Sequence, residues 1–482
     1  MNLKDPSLLR QLAYVDGQWI PADSGQTVDI LNPANGSRVG SVPVLGAAET
    51  RRAIDAAARA MPAWAARTAR ERASVLRRWF ELMLAHADDL AVIMTSEQGK
   101  PLAEARGEVA YAASFIEWFA EEGKRVYGDI VPSFRADARV LVLRQPVGVA
   151  AAITPWNFPA AMATRKLAPA LAAGCTAVLK PAGETPLTAL WIGDVLQRAG
   201  APAGVVNIIT TSQTGPVSSA ILADPRVATL SFTGSTYVGK MLLKQTADRV
   251  LPSSMELGGN APFIAFEGAD VDAAVSGAMI AKMRNGGAAC TAANRFYIHE
   301  SLAEEFTTKL ESAFAALTIG PGIDPANDLG AMVSVKERDK ILELLQEAVG
   351  EGVVASPSST VPELGAFIAP YVVRDVIHGS ALTRNEVFGP VAPIVTFTDE
   401  DEGVRMANDT EYGLISYVFA KDPGTGVKLA RRMESGMVAV NRGLASDPAA
   451  PFGGMKESGL GREGGFAGIH EFLETQYFAV DL

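Results

Sequence analysis

The spacing of apolar positions changes several times along this chain, and each change marks a different kind of element. Residues 30–42 read as a short β-region punctuated by the turn pairs Asn32-Pro33 and Asn35-Gly36. From about 50 to 122 the period is helical, in a stretch rich in Ala, Arg, Glu and Leu. Between 125 and 144 the pattern turns to alternation, plainest over 138–144, which predicts an exposed strand or hairpin.

From 147 to 266 short apolar runs alternate with helical segments. Runs at 147–153, 177–179, 205–209 and 228–232 predict buried strands. Segments near 160–173, 186–199, 214–223 and 236–247 predict the helices between them. Such alternation implies a parallel sheet covered on both faces, a Rossmann-like α/β architecture with ligands at the carboxyl ends of the strands. A second α/β series starts near Pro262, with helices at about 270–284, 301–316 and 334–349. Its strand candidates are 390–397, 414–419 and 436–440. The final stretch, 474–482, has strand composition and is a candidate to pair with 134–144, including across subunits.

Composition narrows the class. A chain of 482 residues is too long for one simple core and fits two or three domains. A net charge of -11, with no long Lys/Arg run, excludes nucleic acid as the main partner. The pairs Arg51-Arg52, Arg77-Arg78 and Arg431-Arg432 read as solvated helix faces. The N-terminus lacks the basic start and apolar core of a signal peptide. The apolar runs are far shorter than the roughly 20 residues that cross a bilayer. With only Cys175 and Cys290, no disulfide framework is expected. A cytoplasmic protein with reduced thiols and no membrane partner follows as the expectation.

Four local patterns carry candidate chemistry. Cys290 follows Gly286-Gly287-Ala288-Ala289, small residues that let backbone and ligand approach the sulfur. A lone cysteine is more often a buried small hydrophobe, and Cys175 fits that description better. No histidine is near enough in sequence to suggest a Cys–His pair; His299 reads as the start of the following helix. Glu256, between Met255 and Leu257 at a strand end, suits a general base if burial raises its pKa; a solvent-facing Glu before a turn is the other reading. Asn157, in TPWNFP after the 147–153 strand, offers a side-chain amide to a developing oxyanion, or a local backbone bond in a proline-bracketed turn. Gly234 and Ser235 end a strand and open a helix, where backbone amides receive phosphate, although the pattern is not GxGxxG.

The ordered series TPWNFP, KPAGETP, FTGS, MELGGNAP, the Cys290 loop, EVFGP and PFGGMKESGLGRE resembles the aldehyde dehydrogenase superfamily across almost the whole chain. The segments GKPLAEARGEVAYAASFIEWFAEEGKRVYGD and APFGGMKESGLGREG are similar to the bacterial succinate-semialdehyde dehydrogenase branch. The resemblance implies a cofactor domain at 1–125 with 145–253, a catalytic domain at 254–461, and a β oligomerisation flap at 126–144 with 462–482. It implies that Cys290 attacks the aldehyde, that Asn157 and the Cys290 amide hold the oxyanion, and that Glu256 activates water to hydrolyse a thioester. Trp156, Lys180, Gly183, Gly234, Ser235, Leu257, Glu386 and Phe388 are implied as contacts of NAD or NADP, and no metal is implied. Many NAD-specific relatives carry Glu where this chain has Gly183; its absence leaves room for a 2′-phosphate beside Lys180, so NADP is expected to be preferred.

Arg165, Arg295 and Ser446 match the positions that this branch uses to hold the substrate's distal carboxylate. The expected substrate is succinate semialdehyde, with glutarate semialdehyde or another ω-oxo acid as the rival. Departures from the family pattern are Ala288-Ala289 ahead of the nucleophile, Ala292 in place of a second cysteine, an altered loop at 441–448 and a shortened stretch around 355–366. A CoA-acylating dehydrogenase and a non-catalytic protein on this fold are the alternatives from other classes; Glu256 argues against the first, and the set of Cys290, Glu256 and Asn157 against the second. A homodimer or homotetramer is implied.

Overall fold

The computed structural model describes residues 1–481. Five parallel strands form the heart of the first sheet, adjacent in the order Val206–Ile208, Thr176–Lys180, Val149–Ile153, Val227–Thr233, Ser253–Glu256. Every residue of Val149–Ile153 and Thr176–Lys180 is buried, which is why these strands appear as unbroken apolar runs instead of alternating. The chain works outward from Val149–Ile153 in one direction and then resumes on its other side with Val227–Thr233. A crevice opens where that order reverses, between the carboxyl ends of those two strands. Ala13–Val15 with Gln18–Ile20 extends one edge of the sheet, and Gly459–Leu460 the other. Residues expected within a 254–461 unit therefore also contribute to this sheet.

The helices predicted between the strands are present, as Pro159–Ala173, Pro186–Arg198, Thr214–Ala223 and Thr236–Thr246. The long helical stretch before them is four helices: Ala47–Ala65, Ala69–Ala85, Ala87–Gln98 and Leu102–Glu122. The second begins at a capping box, in which Thr68 Oγ1 accepts from the Glu71 amide and the Glu71 carboxylate accepts from the Thr68 amide. The third ends at Gly99, whose φ of 100° lies in the left-handed region. Trp64, Trp79, Phe115 and Phe119 bury between this bundle and Pro159–Ala173.

The second sheet is six parallel strands in the order Tyr371–Val373, Val391–Phe397, Ala293–His299, Ala261–Ala265, Ile415–Phe419, Met437–Val440. Its helices Val271–Met283, Glu300–Ala315 and Val335–Gly350 match expectation, whereas the shorter Glu400–Asn408 and Pro423–Ala430 carry too few turns to show a period. The strand Ala293–His299 was not anticipated. It is wholly buried yet contains Asn294, Arg295 and His299, so polar residues interrupt the apolar run. Those groups are satisfied locally: Lys282 Nζ donates to Asn294 Oδ1 at 3.0 Å, and His299 caps the helix that follows it.

Asp129–Pro132, Ala138–Pro146 and Leu473–Asp481 form a separate three-stranded sheet. The final strand pairs antiparallel with Ala138–Pro146 of the same chain; Leu482, part of the expected strand, lies outside the described residues. Ile130, Phe134 and Tyr477 of this region are largely exposed. Among the described residues no helix is long and apolar enough to cross a membrane.

Candidate active site

A cleft of about 450 Å³ opens at the reversal point of the first sheet and reaches across to the second. Cys290, Glu256 and Asn157 meet at its inner end. The turn that presents Cys290 is tight because Asn285, Gly286 and Gly287 have φ of 53°, 60° and 78° in succession. Gly287 is needed there: a Cβ would stand 2.2 Å from the carbonyl oxygen of Gly389. Gly259 plays the same part on the other side, since a Cβ would lie 2.5 Å from the Cys290 carbonyl oxygen.

Glu256 ends its strand with both carboxylate oxygens buried and without a hydrogen-bond partner among the described residues. Burial pushes its pKa up to about 7, opposed by Arg165 and reinforced by Glu463. The Cys290 thiol lies well above the ordinary thiol range, first through burial and then through the facing Glu256, with Arg165 acting in the opposite sense. Glu256 thus disfavours the thiolate, whereas the thiol favours the ionised Glu256, which leaves a neutral thiol beside a carboxyl group poised near neutrality. Asn157 is 3% exposed, and its Oδ1 accepts the Phe158 amide at 3.0 Å. That bond directs Nδ2, which has no acceptor among the described residues, to the cleft.

The outer part of the cleft is built for a dinucleotide. Gly234 and Ser235 sit at the N-terminus of Thr236–Thr246, with Ser235 Oγ as its cap. Lys180 is buried, and its Nζ donates only to the Pro181 carbonyl oxygen at 3.3 Å. Burial holds that ammonium below the ordinary lysine range, with Glu184 opposing, so it lacks a close anionic partner. A Cβ at Gly183 would meet only Thr211 O at 3.8 Å, so the adjoining space is open. Glu386 binds the Gly259 amide at 3.0 Å through Oε1, leaving Oε2 for a ligand hydroxyl. Trp156 and Phe388 meet edge to face at 5.4 Å on the same wall. Glu337 and Lys340 also line the cleft and were not anticipated, because nothing in their helix distinguishes them from ordinary surface charges.

Three expected residues stand elsewhere. Leu257 is 4% exposed and packs behind the wall against Gly239, so it supports the cleft without facing it. Arg295 is turned away: its guanidinium donates to the carbonyl oxygens of Asn260, Met406 and Ala407 and to Tyr297 Oη. Ser446 is half-buried in the loop after Met437–Val440, and its hydroxyl has no partner among the described residues. That loop docks near Phe115, since Gly464 lies between the Phe115 ring and the carbonyl oxygens of Pro448 and Ala450.

Arg165 lies close enough to Cys290 and Glu256 for their charges to act on it. It is 1% exposed, 3.9 Å over the Phe452 ring, and its Nη2 lies 2.8 Å from Glu463. Glu463 also pairs with Lys166. The cation that sequence reasoning missed is Arg284, six residues before Cys290. It is half-buried over the Phe158 ring at 4.6 Å and near Tyr111 at 5.6 Å, and it makes no ion pair or hydrogen bond among the described residues. An arginine with no ion pair or hydrogen bond among the described residues, six positions before the nucleophile, is the better candidate for an anion.

The pattern of the aldehyde dehydrogenase family matches residues 19–478. The chain belongs to this family. It is 51% identical over 481 residues to a glutarate-semialdehyde dehydrogenase of Pseudomonas aeruginosa, covering 100% of this chain and 99% of the relative. It is 50% identical over 483 residues to the NADP(+) succinate-semialdehyde dehydrogenase of Escherichia coli K12, covering 100% of both chains. Among solved structures, a succinate-semialdehyde dehydrogenase from Burkholderia pseudomallei superposes with a TM-score of 0.98 at 48% identity, covering 100% of each chain. The α/β fold read from the alternation of strands and helices is therefore that of an aldehyde dehydrogenase, and the chain is an enzyme.

Proposed function

We propose that this aldehyde dehydrogenase oxidises succinate semialdehyde to succinate with NADP as preferred cofactor and NAD as a weaker one. The observation that carries the reading is the meeting of Cys290, Glu256 and Asn157 in one cleft, with the charge of Arg165 acting on Cys290 and with Arg284 over the ring of Phe158, next to Asn157 in the chain. Residues 1–125 with 145–253 hold the cofactor, 254–461 supply the catalytic side chains, and the three-stranded flap, with its exposed apolar side chains, joins protomers into a homodimer or homotetramer. Both cysteines are free, in keeping with a cytoplasmic enzyme.

Glu256 takes the thiol proton, and Cys290 attacks the aldehyde carbon to form a thiohemiacetal. Asn157 Nδ2 and the Cys290 amide stabilise the oxyanion. A bound nicotinamide supplies the hydride acceptor. Cys290 is then a thioester, and Glu256, once the thiol proton has passed to solvent, activates the water that releases succinate. Arg165 and Arg284 hold the distal carboxylate, with Ser446 at the cleft's rim, while Arg295 has no part in that clamp. Glutarate semialdehyde is the second reading, favoured by the small Ala288-Ala289 and Ala292 around the nucleophile and by the Pseudomonas relative.

The deciding assay is NAD(P)H formation with succinate semialdehyde, glutarate semialdehyde and butyraldehyde, each with NAD and with NADP. Preference for the acidic aldehydes with NADP is expected; equal use of butyraldehyde overturns the clamp. Gly183→Glu fits sterically and should weaken NADP binding by about tenfold or more while leaving NAD within a few fold, because the new carboxylate repels the 2′-phosphate. Titration of cofactor fluorescence checks this, and equal losses for both cofactors would show that Gly183 does not read the phosphate.

Glu256 makes a pH prediction with a defined sign. Its folded pKa of about 7 lies above the ordinary 4.5, so the neutral form is the one the fold prefers. That contribution is present below about pH 4.5 and is lost as pH rises to about 7. Catalysis runs the other way, with turnover rising through pH 7 as the base ionises. Glu256→Gln should therefore melt higher than the parent at pH 8, by about 3 kcal/mol at most, and show little gain at pH 4.5, while turnover falls by about 100-fold or more. An unchanged turnover, followed alongside thermal melts at both pH values, would remove Glu256 from the mechanism.

A further inference from the structure

The main-chain carbonyl of Asn157 accepts two side-chain donors at once. Lys100 Nζ donates at 2.8 Å and Asn285 Nδ2 at 2.9 Å, and all three residues are buried. The N–H of the same amide group, on Phe158, donates at 3.0 Å to Asn157 Oδ1. The uncommitted end of that side chain is Nδ2, the donor assigned to the oxyanion. An unbroken run of polar bonds therefore joins a buried ammonium to the oxyanion donor through one peptide unit.

Both donors are anchored from the helical bundle. Lys100 pairs with Glu108, whose Oε1 accepts the amides of Ala160 and Ala161 at 2.9 and 3.2 Å. Asn285 Oδ1 accepts from Gln98 Nε2 at 3.1 Å, and the Asn285 amide donates to Glu104 at 2.8 Å. Asn285 Nδ2 also reaches the Ala288 carbonyl oxygen at 2.9 Å, two residues before Cys290. One side-chain amide thus ties the nucleophile's turn to the carbonyl of the oxyanion donor.

We propose that Asn285 and Lys100 are positioning residues for oxyanion stabilisation. Asn285 sets the separation of Cys290 and Asn157. Together with Lys100 it draws electron density toward the Asn157 carbonyl, which strengthens the Phe158 N–H bond to Oδ1 and makes Nδ2 a better donor. Bonds in such chains reinforce one another in the low dielectric of an interior. The inference rests on Asn157 acting as the oxyanion donor.

The test follows the single-turnover burst of NADPH with succinate semialdehyde in the intact enzyme. Asn285→Ala should slow the burst by about 10- to 100-fold, part of the loss seen when an oxyanion donor is removed outright. KM should stay within about threefold, and alkylation of Cys290 by iodoacetamide, which forms no oxyanion, within about twofold. In an Asn157→Ala background the same substitution should add less than about threefold, because its effect passes through the missing side chain. Lys100→Met should follow the same pattern; because it leaves Glu108 unpaired in the core, Asn285→Ala decides if that variant does not fold. A wild-type burst in Asn285→Ala, a full additive loss over Asn157→Ala, or a parallel fall in alkylation overturns the proposal. A wild-type burst in Asn157→Ala alone overturns instead the oxyanion reading on which it rests.

Discussion

Cys290→Ala is expected to lower aldehyde oxidation by about 10⁴-fold or more, with the folded state and cofactor binding retained. The expectation follows from the surroundings of the sulfur. The thiol is neutral at rest, held there by burial and by the facing Glu256, so its removal takes no ion pair from the fold. Alanine keeps the Cβ and leaves the turn of left-handed residues before it undisturbed. The groups assigned to cofactor lie on other elements: Lys180 at the end of the strand Thr176–Lys180, Ser235 at the cap of Thr236–Thr246, Glu386 on the segment before Val391–Phe397. NADP titration of the variant should therefore give an affinity within about threefold of the parent. Retained turnover would remove Cys290 from the chemistry, while loss of cofactor binding would mean that the substitution had reached beyond the thiol.

Arg284→Ala and Arg295→Ala should separate cleanly, with the effect on substrate falling at Arg284 rather than at Arg295, where the family resemblance put it. Arg284 makes no ion pair or hydrogen bond among the described residues, so its loss should leave the melting temperature nearly unchanged. It should raise KM for succinate semialdehyde by about 10- to 100-fold, the worth of one charge-assisted contact to a carboxylate, and leave butyraldehyde almost unaffected. Arg295 makes four hydrogen bonds to buried acceptors, and deleting it orphans three main-chain carbonyl groups. That should cost about 3 kcal/mol or more of stability, seen as an early thermal transition, with the preference between acidic and neutral aldehydes preserved. Equal effects of Arg284→Ala on both aldehydes would show that its guanidinium does not meet the substrate. A shift in that preference for Arg295→Ala would restore it to the clamp.

The extent to which the chain could be read in advance depended on how local each signal is. The buried strands around 147–153 and 177–179 were legible because a strand covered on both faces must be apolar throughout. The helices between them were legible from their period. Ala293–His299 was not, because its Asn, Arg and His are paid for by partners far away in sequence, such as Lys282 and the 406–407 carbonyls. Leu257 shows a related limit: its position in MELGGN is local, but which face its side chain turns to is decided by its packing against Gly239. Arg284 and Arg295 lie on either side of Cys290 at comparable spacing, and spacing alone does not tell which one the fold satisfies internally.

By itself, the sequence determined the α/β alternation and the aldehyde dehydrogenase family, and it singled out Cys290, Glu256, Asn157 and Gly183 as candidates, since each resides in a short segment whose residue types limit what it can do. Only the tertiary structure decided which arginine is left free, that Glu463 joins Arg165 to Lys166, and that Lys100 and Asn285 converge on one carbonyl. Those facts belong to pairs of groups separated by tens to hundreds of positions. Desolvation favours the pairing of buried charges, and which partner each finds is a property of the packed chain and of no segment within it.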